Sequence, residues 1–125
     1  MVREKKQLME SGYDGIIMSN LLCRLPDPIA CLDGLQLLVR PGGVVVMVTP
    51  FSWLTEFTPR SKWLGGYRDS VTGQPIHSNE QLQQYMSIRG FEQIHEEEIP
   101  VLIREHQRKF QYIISLATGW RKKYE

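Results

Sequence analysis

The chain has 125 residues, with 15 Lys and Arg against 14 Asp and Glu, so no net field draws it toward nucleic acid or an anionic membrane. That length suits one domain or part of one, and no run of about 18 apolar residues offers a membrane span. The opening MVREKKQLMESG lacks the apolar core of a secretory signal, which points to a cytoplasmic protein.

Residues 1–12 are a charged segment, read as the ragged end of a preceding helix. Ile16 to Ser19 form the centre of a first strand. Asp27-Pro28 then starts a helix: Asp27 is placed to cap it, and Pro28 takes the first helical position, where its missing N–H is not needed. Cys31, Leu32, Leu35, Leu38 and Val39 follow at helical spacing and make one apolar stripe. Pro41-Gly42-Gly43 stops the helix and turns the chain into a second strand, Val44 to Thr49. Both strands are continuous aliphatic runs, which predicts a parallel sheet buried on both faces between helix layers. Cys23 and Cys31 are read as free thiols, and no metal-ligand spacing is present.

Residues 51–77 have no clear period, whereas a strand-to-helix connection usually needs only ~2–6 residues. The segment is dense in aromatics, including Phe51, Trp53, Phe57, Trp63 and Tyr67, and reads as a lid or binding loop. Ser78 with Gln81 has the spacing of a capping box, and Leu82, Tyr85 and Met86 give an apolar face before Gly90 ends the helix. Phe91 to Ile99 is a third strand, with the exposed run His95 to Glu98. Residues 100–109 are read as a basic loop. Phe110 to Trp120 alternates with the period of a strand and should run antiparallel, since no crossover helix precedes it.

The order is that of an α/β protein, the C-terminal half of a doubly wound sheet with an antiparallel last strand. Ligands in such sheets bind beyond the carboxyl ends of the strands. If the third strand is parallel to the first two, Asn20 to Arg24, the aromatic segment and the basic segment converge on one rim.

At these residues a resemblance becomes specific. YDGIIMSNLLCRLPDP with PGGVVVMVTP resembles the later strands of a Rossmann-like class I S-adenosylmethionine-dependent methyltransferase. NLLCRLPDP, TPFSWLTEFTPRSKWLGGY, EEEIPVLIREHQRKFQ and ATGWRK are similar to the C-terminal methyltransferase domain of the ovothiol-biosynthesis enzyme, which pairs a histidylcysteine sulfoxide synthase with a mercaptohistidine N-methyltransferase. The Gly-rich turn and the acidic residue that such domains carry after their opening strands have no counterpart in this sequence. The resemblance therefore implies a partial methyltransferase domain over residues 13–125. Such a chain should bind S-adenosylmethionine weakly or not at all when alone, and should pair with a complementary N-terminal half or self-associate.

The resemblance also implies roles. Asn20, Leu21 and Leu22 lie where the loop after the fourth methyltransferase strand touches the methionine part of the cofactor. The substrate carries an amino-acid head group and a thiolated imidazole. Arg24, Arg104 and Arg108 suit its carboxylate, with Lys109 behind them; Glu105 suits the ammonium; Trp53, Trp63 and Tyr67 suit the ring or the sulfonium. His106 and Glu56 are candidates for accepting a proton. Two alternatives carry different chemistry: a fragment of a nicotinamide-dependent dehydrogenase, and a non-catalytic module whose aromatic loop is a docking surface.

Overall fold

A computed structural model describes residues 12–124. Strand β1 (Tyr13–Ser19) leads through a single 3₁₀ turn at Leu22–Arg24 into helix α1 (Pro28–Leu38), which is followed by β2 (Val39–Thr49). The aromatic segment contains a second 3₁₀ turn at Arg60–Lys62 and a small ribbon, β3 (Tyr67–Arg68) with β4 (Pro75–Ile76). Helix α2 (Ser78–Ile88) follows, and then β5 (Phe91–His106) and β6 (Lys109–Lys122). The four long strands make one sheet in the order β1-β2-β6-β5. β1 and β2 are parallel, whereas β6 is antiparallel to both β2 and β5. Thus β5 points the same way as β1 and β2, and the last strand is reversed as its missing crossover requires.

Both crossovers, β1 to β2 and β2 to β5, step in the same direction across the sheet. Right-handed connections therefore place α1 and α2 on one face. Leu32 and Leu35 of α1 and Leu82 and Met86 of α2 share a core with Met18, Met47, Phe91 and Trp120. The register explains the membership: Val45 lies opposite Trp120 and Met47 opposite Thr118, so these side chains point to the helix side.

The expectation of burial on both faces is corrected. β1 and β2 alternate, with Met18 buried and Ile17 77% exposed, because no described helix covers the second face. Two further readings also change. The β2 strand begins at Val39, so Pro41-Gly42-Gly43 lies inside its irregular start, where the partner register jumps from Val39 to Val44. The basic loop at 100–109 is mostly strand: β5 runs to His106 and β6 starts at Lys109, leaving a tight turn between them. The alternation seen in Phe110 to Trp120 continues across the turn because the two strands pair along their whole length.

Helix boundaries follow local chemistry in part. The Asp27 carboxylate accepts from the Ala30 N–H at 3.2 Å, with Pro28 at the first position, as the sequence indicates. Gly90, at φ +83°, follows the end of α2. The capping box at Ser78 does not form. Ser78 is already helical, and its hydroxyl is turned inward to accept from the Trp53 indole N–H at 2.9 Å. The charged segment at 1–12 lies outside the described residues except for Gly12.

Candidate functional site

Among the described residues, two other than glycine adopt left-handed backbone, and both stand just past the carboxyl ends of neighbouring parallel strands. Asn20 has φ 55° and Phe51 has φ 53°. Asn tolerates this region through its short polar side chain, but Phe has no such excuse. Each is held by a specific bond: the Asn20 N–H donates to the Val48 carbonyl at 2.7 Å, and the Phe51 N–H to the Thr49 hydroxyl at 3.1 Å. Backbone strain of roughly 1–3 kcal/mol persists where the surroundings over-determine it, and such places cluster at functional sites.

The turn after Asn20 sorts its side chains. Leu22 and Cys23 are buried, Leu21 is exposed, and Arg24 points outward. The aromatic segment closes over this turn. The Thr58 hydroxyl donates to the Leu25 carbonyl, Lys62 pairs with Asp27 at 3.0 Å, and the Arg24 guanidinium lies 4.6 Å from the centre of the Phe57 ring. The Lys62 ammonium, and then the Ala30 N–H, hold the Asp27 carboxyl below its ordinary range. Burial pushes the Cys31 thiol up.

Across from the turn, one face of the β5–β6 hairpin completes a cavity of about 220 Å³. Asn20, Cys23, Arg24 and Pro50 line one side, and Val101, Ile103, Gln111, Ile113 and Ser115 the other. Among the described residues Arg24 has no carboxylate within ion-pair distance. A guanidinium fixed by stacking, without an internal counter-ion, at the mouth of a mostly apolar cavity is suited to a carboxylate on a small molecule.

The remaining sequence-selected residues distribute unevenly. Trp53 is buried, and Trp63 is half-buried with its indole N–H donated to the Thr58 carbonyl at 2.9 Å, so both bind the aromatic segment to itself and to the core. Tyr67 sits in the small ribbon beside Arg60 and Asp69, around a separate shallow depression. Glu56 is exposed, next to Phe57.

The basic residues follow the hairpin outward. Leu116 faces Thr49, the last residue of β2, and Phe110 faces Arg104. At about 3.4 Å per residue, Arg104 then stands roughly 20 Å past the end of β2. Arg104 also lies on the opposite face of the ribbon from Val101 and Ile103. Glu105 accepts from the Gln111 amide and pairs with Lys109 at 3.0 Å, while His106 Nδ1 accepts from the Arg108 N–H at 3.2 Å. The carboxyl ends of β1, β2 and β5 point the same way, but β5 overruns the other two, so the basic residues lie beyond the rim that Asn20 and Pro50 share instead of converging on it. What the hairpin brings to the cavity, however, is the row Val101, Ile103, Gln111 and Ile113, which the sequence reading passed over. The signal was available: two-residue periodicity runs through 101–103 as it does through 111–113.

A family described as "Methyltransferase domain" matches residues 3–96. A highly reducing polyketide synthase, PKS6, of Gibberella zeae is 28% identical over 92 residues, covering 70% of this chain and 4% of the synthase. A SAM-dependent methyltransferase of Methanosarcina mazei superposes with a TM-score of 0.61 at 18% identity, over 92% of this chain and 61% of that one. A structure solved for the conversion of a disulfide bond into a thioacetal group during echinomycin biosynthesis gives 0.59 at 13% identity, over 97% and 52%. The chain thus spans a small part of the synthase and between half and two thirds of these structures. Sheet order alone leaves several Rossmann-like families open, but the match over residues 3–96 decides among them: the chain belongs to the methyltransferase domain family.

Proposed function

We propose that the chain forms the acceptor-facing side of an S-adenosylmethionine-dependent N-methyltransferase site whose substrate is a histidine bearing sulfur on its ring, as in ovothiol biosynthesis. The observation that carries this reading is the placement of Arg24, stacked on Phe57 at the cavity mouth with no carboxylate partner among the described residues. The resemblance of NLLCRLPDP and ATGWRK to the mercaptohistidine enzyme supports the sulfur-bearing substrate.

The cofactor is S-adenosylmethionine, which supplies an electrophilic methyl group on a sulfonium. The strand ends fit its methionine portion. Asn20 reaches the cavity from a left-handed turn, with Leu21 exposed beside it; the Leu22 side chain is in the core, which leaves its backbone for such a contact. Arg24 takes the substrate carboxylate through its planar fork. Val101, Ile103 and Ile113 exclude water around the ring.

A neutral imidazole nitrogen attacks with its own lone pair, so the transfer calls mainly for alignment. The proton that leaves the methylated ring goes to Glu56 or His106. Glu56 adjoins the ring that holds Arg24, whereas His106 is at the hairpin tip with Nδ1 already accepting a bond. Trp53, Trp63 and Tyr67 shape the aromatic segment, and Arg104, Glu105 and Arg108 charge the outer end of the hairpin, beyond the cavity.

Transfer of labelled methyl from S-adenosylmethionine to mercaptohistidine, histidine and a decarboxylated mercaptohistidine tests the reading. Mercaptohistidine should be preferred. Arg24→Ala should raise its KM about tenfold or more while sparing the decarboxylated analogue. Equal use of histidine would remove the sulfur-bearing substrate, and an unchanged KM would remove Arg24.

A further inference from the structure

The face of the β5–β6 hairpin turned away from the cavity is an apolar strip, bordered at its base by Ile76, His77 and Asn79 and with its outer part, from Leu102 to Phe110, exposed. Cross-strand pairing puts Glu98, Pro100, Leu102 and Arg104 of β5 on this face, opposite Leu116, Ile114, Tyr112 and Phe110 of β6. Leu102 is 65% exposed, Tyr112 68%, Phe110 53% and Ile114 51%. Contiguous exposure of large apolar side chains at this level marks an interaction surface.

Charge frames the strip asymmetrically. Glu98 stands at its base, where the ribbon leaves the sheet, and Arg104 at its outer end. Among the described residues neither has an oppositely charged partner within ion-pair distance, although Lys109 and Glu105 nearby satisfy each other. An acid at one end and a base at the other, with apolar residues between, is a self-complementary pattern under a two-fold axis. In such an interface each residue meets the residue that meets it in turn.

We propose that this strip is the interface for a second copy of the chain. The two hairpins stack face to face and run in opposite directions, with the axis near Val101. Leu102, Tyr112 and Ile114 of each copy then cover those of the other, and Glu98 of each meets Arg104 of its partner. The cavity lies on the other face of the same ribbon and stays open in this arrangement. The partner's hairpin tip comes instead to the shallow depression beside Glu98, which Phe51, His77 and Asn79 also line.

Sedimentation velocity of the full chain, over a concentration series up to ~100 µM, reads the association directly. A dimer is expected, and Tyr112→Asp should weaken it at least tenfold while circular dichroism stays unchanged. Leu102→Ser provides the same reading if Tyr112→Asp misfolds. Glu98→Arg and Arg104→Glu should each weaken the dimer, and the double variant should restore it. A monomer throughout the series would overturn the proposal, as expected if another segment or a foreign partner covers the strip. A dimer indifferent to both apolar substitutions would overturn it too. Failure of the double charge exchange to restore association would overturn the antiparallel pairing.

Discussion

The guanidinium of Arg24 lies 4.6 Å from the ring centre of Phe57, joining the turn after β1 to the aromatic segment that follows β2. Neither side chain is buried, so the contact adds little to folding and acts chiefly to restrict where the cation points. A cation over an exposed ring gains about 0.5–1 kcal/mol, equivalent to roughly two- to fivefold in an equilibrium constant. Phe57→Ala should therefore raise the KM for a carboxylate-bearing substrate by about that factor, with no more than a small change in melting temperature. Steady-state kinetics beside a thermal melt separates the two effects. A large loss of stability would mean that Phe57 packs rather than positions.

Trp53 and Ser78 form the opposite kind of contact, since both are buried and the Trp53 indole N–H donates to the Ser78 hydroxyl at 2.9 Å. Ser78→Ala leaves the indole N–H without an acceptor and should cost about 1–3 kcal/mol, the penalty for a buried unsatisfied donor. Trp53→Phe removes the donor and some volume and should cost at least as much. In the double variant no polar group is stranded, so its loss should fall short of the sum of the two single losses. Urea denaturation of the four proteins measures this coupling. Strict additivity would show that the bond contributes nothing.

The same pair shows what a sequence discloses and what it withholds. Ser78 followed by Gln81 is a sound local signal for a capping box, and a helix does begin there. The hydroxyl nonetheless goes to a partner 25 positions earlier in the chain, which no local rule contains. Asp27 and Pro28 were legible because capping is settled within four residues. The direction of β6 was legible because two abutting strands leave no room for a crossover. The small β3–β4 ribbon was obscured by its length; its signal is the turn in which Asp69 accepts from the Val71 and Thr72 N–H groups, with Gly73 at φ +70°. Burial of β1 was misjudged because an aliphatic run reports hydrophobicity, not which face a helix will cover. The cavity wall was missed for a related reason. Pro100 and the charges after it suggest a loop, while the regular pairing of 101–103 with 111–113 emerges only when both strands are considered together.

Asp27 carries a pH dependence whose sign is fixed by its partners. Its folded-state pKa is lowered, first by the Lys62 ammonium and then by the Ala30 N–H. The resulting stabilisation is fully present above the unfolded value of about 4, and is lost as pH falls through the lower folded value. Asp69 shifts in the same direction through the Thr72 and Val71 N–H groups, so wild type alone would mix the two. Asp27→Asn separates them: it keeps a competent cap, loses the ion pair, and leaves Asp69 untouched. The melting temperature of wild type should exceed that of Asp27→Asn at pH 7, and the gap should narrow as pH drops below about 4. A gap that is constant with pH would show that Lys62 does not contribute through the charge on Asp27.

Lys122 gives the last prediction, because it ties the reversed strand to the first helix. Its ammonium donates to the Val39 carbonyl at 2.9 Å and to the Gln36 carbonyl, at the end of α1 where carbonyls lack partners in the next turn. A cation at a helix C-terminus gains about 0.3–1 kcal/mol when exposed and up to ~2 kcal/mol when partly buried. Lys122→Met preserves the apolar stem, so its cost isolates the head group. A loss of about 1 kcal/mol is expected, or a fall of roughly 4 °C in melting temperature for a domain of this size. Lys122→Arg keeps the charge and should recover part of the loss, although its planar fork fits two carbonyls on one helix end less readily than a rotating ammonium. If Lys122→Met melts with wild type, the helix end is satisfied by water and the ammonium adds nothing to the anchoring of the strand.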